Sequence, residues 1–333
     1  RIWIIDFLII LMNKLFAFLF LFSFLLLVSC KDEDCCQEVI ENEIFLDLGH
    51  NKPYINGSVY YGRNQYVEYY PGNLPIILSV PHGGNMMPDE INDRIYGTKV
   101  NDANTKELSK VIMNILNLNF GDRPYVIINN LDRKKMDANR DSVEATQSNR
   151  FAKRAWEEYH YYIESAKNKI IQDFEYGLFL DIHGHGKNPD GFYDLRIWLG
   201  YLLTGDELDK SNFELNNDIY ENKSSIKTLS SISSENFVQV LRGQNSFGSI
   251  LDSLGYACIP SINDLGPEGM RYFSGGYNTY IHGSVETGGK ISSIQIEAPK
   301  PGVRDNYSNW NDFGEALSFT LERYFKSHYN MDL

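Results

Sequence analysis

Short apolar runs alternate with helical periodicities along most of the chain. Leu74-Pro75-Ile76-Ile77-Leu78-Ser79-Val80 follows the turn residues Pro71-Gly72-Asn73 and predicts a short buried strand. Leu108, Val111, Ile112, Ile115 and Leu116 recur at helical spacing and predict a helix over 103–117. Tyr125–Ile128 predicts another strand, and 144–172 a long helical stretch. Tyr176–Asp181, Ile197–Tyr201 and Ile291–Ile296 are strand-like, and 313–329 predicts a terminal helix burying Phe313, Leu317, Leu321 and Phe325. Strands alternating with helices predict an α/β fold in three layers, a mixed, mostly parallel twisted sheet with helices on both faces. Residues 205–245, rich in Ser, Asn and Glu, read as a loop-rich insertion. No repeat or linker divides residues 46–333, so a single domain is expected there.

The first thirty residues break this pattern. Met12-Asn13-Lys14 precedes an apolar stretch from Leu15 to Val28, then Ser29-Cys30. A cationic start, an apolar core and a small residue before the break predict a secretory signal over 1–29. Met12 begins a complete signal by itself, which leaves 1–11 as an upstream extension. Leu27-Val28-Ser29-Cys30 resembles the lipobox of bacterial lipoproteins, so Cys30 is the expected lipidation site and 30–45 an acidic tether. The competing reading, one membrane anchor over 1–29, must bury Asp6, Asn13 and Lys14, and a mid-bilayer charge costs about 3 kcal/mol. The expectation is an exported lipoprotein of a Gram-negative bacterium, on the periplasmic face or the cell surface, meeting the membrane only through its lipid.

Charge and composition narrow the function. With 44 acidic against 31 basic residues the net charge is −13, and no Lys/Arg cluster suits a nucleic-acid backbone. Four Cys in 333 residues form no disulfide framework and no paired zinc-finger spacing. Cys258, in an apolar stretch, is expected to be a buried thiol. There is no G-x-S-x-G elbow, phosphate loop, H-E-x-x-H or G-x-G-x-x-G.

Polar residues that a core does not need stand instead at three strand ends. Val80-Pro81-His82-Gly83-Gly84 delivers an imidazole into a glycine turn. Leu180-Asp181-Ile182-His183-Gly184-His185-Gly186 places His183 and His185 on one face, with Asp181 able to orient one of them. Ile294-Gln295-Ile296-Glu297 ends on a carboxylate. Two imidazoles and a carboxylate with an open position suit a catalytic zinc, and a further Glu suits a base for its water. Asp102 stands just before a predicted helix. On spacing alone it is more simply an N-cap than the third ligand. The loop from Leu131 to Asp141 carries Arg133, Asn139 and Arg140 among carboxylates. It reads either as a grip for an acidic substrate, since Arg binds carboxylates bidentately, or as a solvated charge run.

Pro81-His82-Gly83-Gly84, Asp102-x-x-Thr, Asp137-x-Asn139-Arg140, Asp181-x-His183 and Gln295-x-Glu297, taken in order, resemble the N-formylglutamate amidohydrolase family. Gly275-Gly276-Tyr277-Asn278-Thr279 with His282-Gly283-Ser284, and Leu199–Leu203, extend the resemblance over about residues 74–325. It implies a zinc carboxypeptidase-like fold and one zinc per chain held by His82, Asp102 and His183. It further implies Glu297 as the base and Asn139-Arg140 as the grip on a substrate carboxylate. Arg133 is suited to the oxyanion, His185 to substrate or to replacing His183 as ligand, and Tyr277 and His282 to lining the pocket. The implied activity is hydrolysis of an amide in a small anionic N-acyl, for instance N-formyl, amino acid. A metallo-carboxypeptidase or murein peptide amidase would use the same atoms. A surface lipoprotein that binds without catalysis is the alternative of another class. The chain departs from the family in its export signal and in the run His183-Gly184-His185-Gly186, where the family has Asp-x-His-Ser.

Overall fold

The computed structural model describes residues 53–287 and 289–333. The signal, Cys30, Cys35, Cys36 and the tether lie outside the described residues.

Among the described residues, eight strands form one sheet: β1 (Tyr60–Tyr61), β2 (Val67–Tyr70), β3 (Ile76–Val80), β4 (Tyr125–Asn129), β5 (Gly177–His185), β6 (Ile197–Gly200), β7 (Cys258–Ile259) and β8 (Ile291–Pro299). Their order is β1-β2-β4-β3-β5-β8-β6-β7. The central β4-β3-β5-β8 pairs are parallel, β2 and β6 join them antiparallel, and β7 runs parallel to β6. This is the mixed α/β sheet expected from the chain's periodicity. Five helices matter for the site: α1 (Thr105–Phe120), α2 (Ser142–Thr146), α3 (Arg150–Phe174), α4 (Tyr277–His282) and α5 (Tyr307–Tyr324).

Strand alternation divides the core into two layers. Ile76, Leu78, Val80, Leu178, Leu180, Ile182, Ile294 and Ile296 pack with Leu108, Ile112 and Leu116 of α1 and Phe313, Leu317 and Leu321 of α5. The intervening Ile77, Tyr125, Ile127, Phe179 and Ile291 pack with Tyr159, Ile163 and Ile170 of α3. On this second face the strands turn polar toward their carboxyl ends: Ile77 gives way to Ser79, Phe179 to Asp181 and His183, and Ile291 to Ser293, Gln295 and Glu297. The period-2 rule therefore aims all of these polar side chains the same way.

Two expectations need revision. The long helical stretch is two helices, because Gln147 and Ser148 adopt φ of 47° and 68°. Asn149 then caps α3, its side chain accepting from the amides of Phe151 and Ala152. Residues 205–245 are not loop-rich. They form five short helices, two closed by capping boxes at Thr204/Glu207 and Ser211/Glu214, and they bury Leu208, Leu215, Leu229, Phe237 and Leu241. Their apolar residues are too sparse and the helices too short to show a period in the sequence. Cys258 is a buried free thiol, as expected.

Candidate metal centre

Three of the predicted ligands meet at the carboxyl ends of β3 and β5. His82 leaves β3 into a turn pressed between α1 and the exit of β4. A Cβ on Gly83 would strike Thr105 and Lys106, and one on Gly84 the backbone of Asn130. The two glycines are there for close approach. Asp102 is tied to this turn by its amide, which donates to the His82 carbonyl at 3.0 Å. Its side chain does not cap α1. Asn104, at φ 68°, occupies the N-cap position, and Asp102 Oδ2 points at the imidazoles instead. Spacing alone favoured the cap, and the tertiary fold turned the carboxylate inward.

The ligand atoms form a small triangle. His82 Nδ1 lies 3.1 Å from His183 Nδ1 and 3.3 Å from Asp102 Oδ2, and His183 Nδ1 lies 3.0 Å from Asp102 Oδ2. All three residues are buried and form a group able to hold a metal ion. A tetrahedral zinc with bonds near 2.0–2.1 Å sets its ligands about 3.3 Å apart, so the triangle fits such an ion with a fourth position left over.

The outer nitrogens fix the tautomers. His82 Nε2 is 2.7 Å from Asp137 Oδ1, and His183 Nε2 is 2.8 Å from Asp181 Oδ2. Each imidazole thus donates outward to a carboxylate and keeps its Nδ1 lone pair for the centre. Asp181 is itself held by Ser79 Oγ at 2.6 Å, which contacts the Tyr159 hydroxyl, and by Asn278 Nδ2 at 3.3 Å. Asp137 also accepts from Arg133 Nε at 2.8 Å and from the Asn139 amide at 3.0 Å, with Arg94 at 3.6 Å. Burial disfavours the ionised form of each group, yet the His183 and His82 imidazoles hold the Asp102 carboxyl well below its usual range, and Asp181 and Asp102 raise the metal-free His183 imidazole well above an ordinary one.

Glu297 stands beside the centre because β8 pairs with β5 in the register that sets it opposite His183. Its Oε1 accepts from Gln295 Nε2 at 2.9 Å. Burial raises its carboxyl to about 7, reinforced by Asp102 and opposed by His183, Arg304 and Arg133.

A cavity of about 680 Å³ opens over these groups. His82, Asp102, His183, Glu297, Arg133, Asn139, Arg140 and His185 all contribute to its wall. The Leu131–Asp141 loop is no solvated charge run: Arg133, Asp137 and Asn139 are buried. Asn139 is already engaged through its Oδ1, which accepts from the Asn278 amide at 2.8 Å. Arg140 is the more accessible member of the pair.

Two expectations fail. His185 does not replace His183 among the ligands, although it stays on the cavity wall, where its expected place against substrate is. It stacks on Trp198 at 4.0 Å and 8°, with Nε2 2.9 Å from the Arg196 carbonyl. Tyr277 and His282 do not line the cavity. Helix α4 turns His282 into the interior, between Glu164 at 2.9 Å and His160 at 2.9 Å and against Phe179, while the Tyr277 ring faces His160.

Three site residues have roles that the sequence left unassigned, Asp137 and Asn278 standing there only as parts of a pattern. Asp137 was hidden in a run of charges, although apolar Met136 and Ala138 on either side were a signal of burial. Asn278 sits in a glycine-rich segment with no periodicity. Arg304 lies beyond β8, where it donates to the carbonyls of Ala298 and His185 at 2.9 Å and to that of Ala103. It thereby ties the Asp102 turn to β5 and β8.

No family model matches the sequence, and no curated protein matches it. Solved structures do. The chain is similar to the crystal structure of an N-formylglutamate amidohydrolase from Ralstonia eutropha JMP134. The match covers 77% of this chain and 93% of that one at 14% identity, with a TM-score of 0.44. It is also similar to a metallo-carboxypeptidase from Pseudomonas aeruginosa, over 80% and 63% of the two chains at 12% identity and a TM-score of 0.39. A third is the catalytic domain of an N-acetylmuramoyl-L-alanine amidase from Bacillus (Paenibacillus) polymyxa, over 76% and 98% at 9% identity and a TM-score of 0.33. These are likenesses of fold. The chemistry of this chain is argued from its own residues.

Proposed function

We propose that this chain is a zinc-dependent amidohydrolase acting on an N-acylated amino acid with a free carboxylate. The observation that carries the reading is the triangle of His82, Asp102 and His183 with a buried carboxyl, Glu297, on the adjoining strand. A zinc ion held by the three ligands supplies Lewis-acid polarisation of a carbonyl and acidifies water to about neutral pH. Glu297, raised toward neutrality by burial, is matched to taking a proton from the attacking water and returning it to the departing amine nitrogen. Arg133, held by Asp137, faces the cavity and is suited to charge developing on the carbonyl oxygen. Arg140 is the residue for the substrate carboxylate. The exported, lipid-anchored location belongs to the proposal on the strength of residues 12–30 alone.

A metal analysis of the purified chain should find close to one zinc, and His82→Ala with His183→Ala should remove it. Glu297→Gln should retain the metal and lose hydrolysis by roughly 10²–10⁴-fold. Absence of bound metal, or unchanged turnover in Glu297→Gln, would remove the assignment.

A further inference from the structure

Six cations line the cavity, against the two carboxylates Asp102 and Glu297, in a chain whose net charge is −13. Three have structural or proposed roles: Arg304 ties backbone segments together, and Arg133 and Arg140 belong to the loop after β4. The other three have none. Lys187, Arg271 and Lys300 are exposed, and none makes an ion pair among the described residues. The first two lie against aromatic rings: Lys187 over Tyr193 at 5.5 Å and Arg271 over Phe273 at 4.8 Å.

Strand order separates the two groups. Arg133 and Arg140 follow β4, on one side of the ligands borne by β3, β5 and the turn to α1. Lys187 follows β5, and Lys300 follows β8. Arg271 is on the far flank, since the Phe273 ring under it packs 5.5 Å from Trp198 of β6. The metal centre is therefore straddled by cations. From β4 to β8 or β6 is three to four strand spacings, about 14–19 Å. A formyl group on one amino acid extends about 7 Å. With its carboxylate on Arg140 and its amide at the centre, such a substrate leaves the opposite wall untouched.

We infer that the acyl side of the substrate is an acidic peptide segment rather than a formyl group, its carboxylates held by Lys187, Arg271 and Lys300. The inference rests on the amide-hydrolase reading above and deepens it. The scissile amide then has a free C-terminal carboxylate on the Arg140 side and at least two further extended residues on the other. Cations free of protein carboxylates at the rim attract such a ligand without first breaking an ion pair, and the attraction is sensitive to salt.

The test uses the zinc-loaded full chain carrying Glu297→Gln, so that binding is read without turnover. Calorimetric titrations compare acetyl-Glu-Glu-Ala-Ala with acetyl-Gln-Gln-Ala-Ala, and the same pair ending in Glu or Lys. The acidic peptide should bind at least tenfold more tightly for at least one C-terminal residue. That preference should shrink to under threefold in Lys187→Gln/Arg271→Gln/Lys300→Gln and in 0.5 M NaCl. Equal affinities in all pairs, no binding by any peptide, or a preference that survives the triple substitution would overturn the inference. The broader reading fails separately, if the native chain hydrolyses neither N-formyl amino acids nor peptides.

Discussion

The carboxylate of Asp137 should control metal affinity without touching the metal. Its Oδ1 accepts from His82 Nε2 at 2.7 Å and its Oδ2 from Arg133 Nε at 2.8 Å. Asp137→Asn keeps the shape and replaces one acceptor with a donor, and neither orientation of the amide serves both neighbours. If the amide oxygen faces His82, the NH2 confronts the Arg133 N–H. If the NH2 faces His82, the imidazole must present Nε2 as acceptor and carry its proton on Nδ1, the atom aimed at the centre. Loss of such an outer partner costs about 10–100-fold in metal affinity, about 1.4–2.8 kcal/mol. The substitution also strips the charge that Arg94 and Arg133 share in the interior, and breaking a buried pair costs about 3–5 kcal/mol of stability. Competition titration against a chelator of known affinity measures the first effect, and urea denaturation of the metal-free chain the second. A folded Asp137→Asn chain whose zinc affinity lies within threefold of the parent would refute the tautomer argument. His82→Ala is the control for complete loss.

Three other outcomes are expected. His185→Ala should retain the metal that His183→Ala loses, measured by zinc content, because His185 is committed to Trp198 and the Arg196 carbonyl. Gly84→Ala should destabilise the chain by about 3 kcal/mol or more in denaturant titration and weaken zinc binding with it, since its methyl meets the Asn130 backbone beside the His82 turn. Glu68 is held at about 2, burial opposing and Lys110, Tyr70, Lys106 and Asn130 prevailing. A depressed carboxyl stabilises the fold above its unfolded value of about 4.5 and loses that contribution as pH falls toward 2, by no more than about 3 kcal/mol. Glu68→Gln should flatten the fall in stability between pH 5 and 2, and an unchanged slope would rule this group out.

Local patterns along the chain were enough for the alternation of strands and helices, hence the layered α/β class, and for the strand ends that bear chemistry. Apolar runs ending in His82, Asp181-x-His183 and Glu297 are local patterns, and the period-2 rule acts on each strand alone. It could not place Asp102, because the same position before a helix serves a cap or a ligand until the His82 turn pulls the carboxylate inward. It also left His183 and His185 equivalent, since both lie on one face of β5. Trp198, brought alongside from β6 by way of β8, decided between them. The roles of Asp137 among its charged neighbours, of Asn278 on an aperiodic segment and of Arg304 beyond the last strand became legible only when segments remote in sequence met. So did the two groups of cations that flank the centre. Hydrophobic burial is read from spacing along the chain, whereas ligation and charge pairing depend on distances of about 3 Å between residues a hundred positions apart, which only the folded sheet order sets.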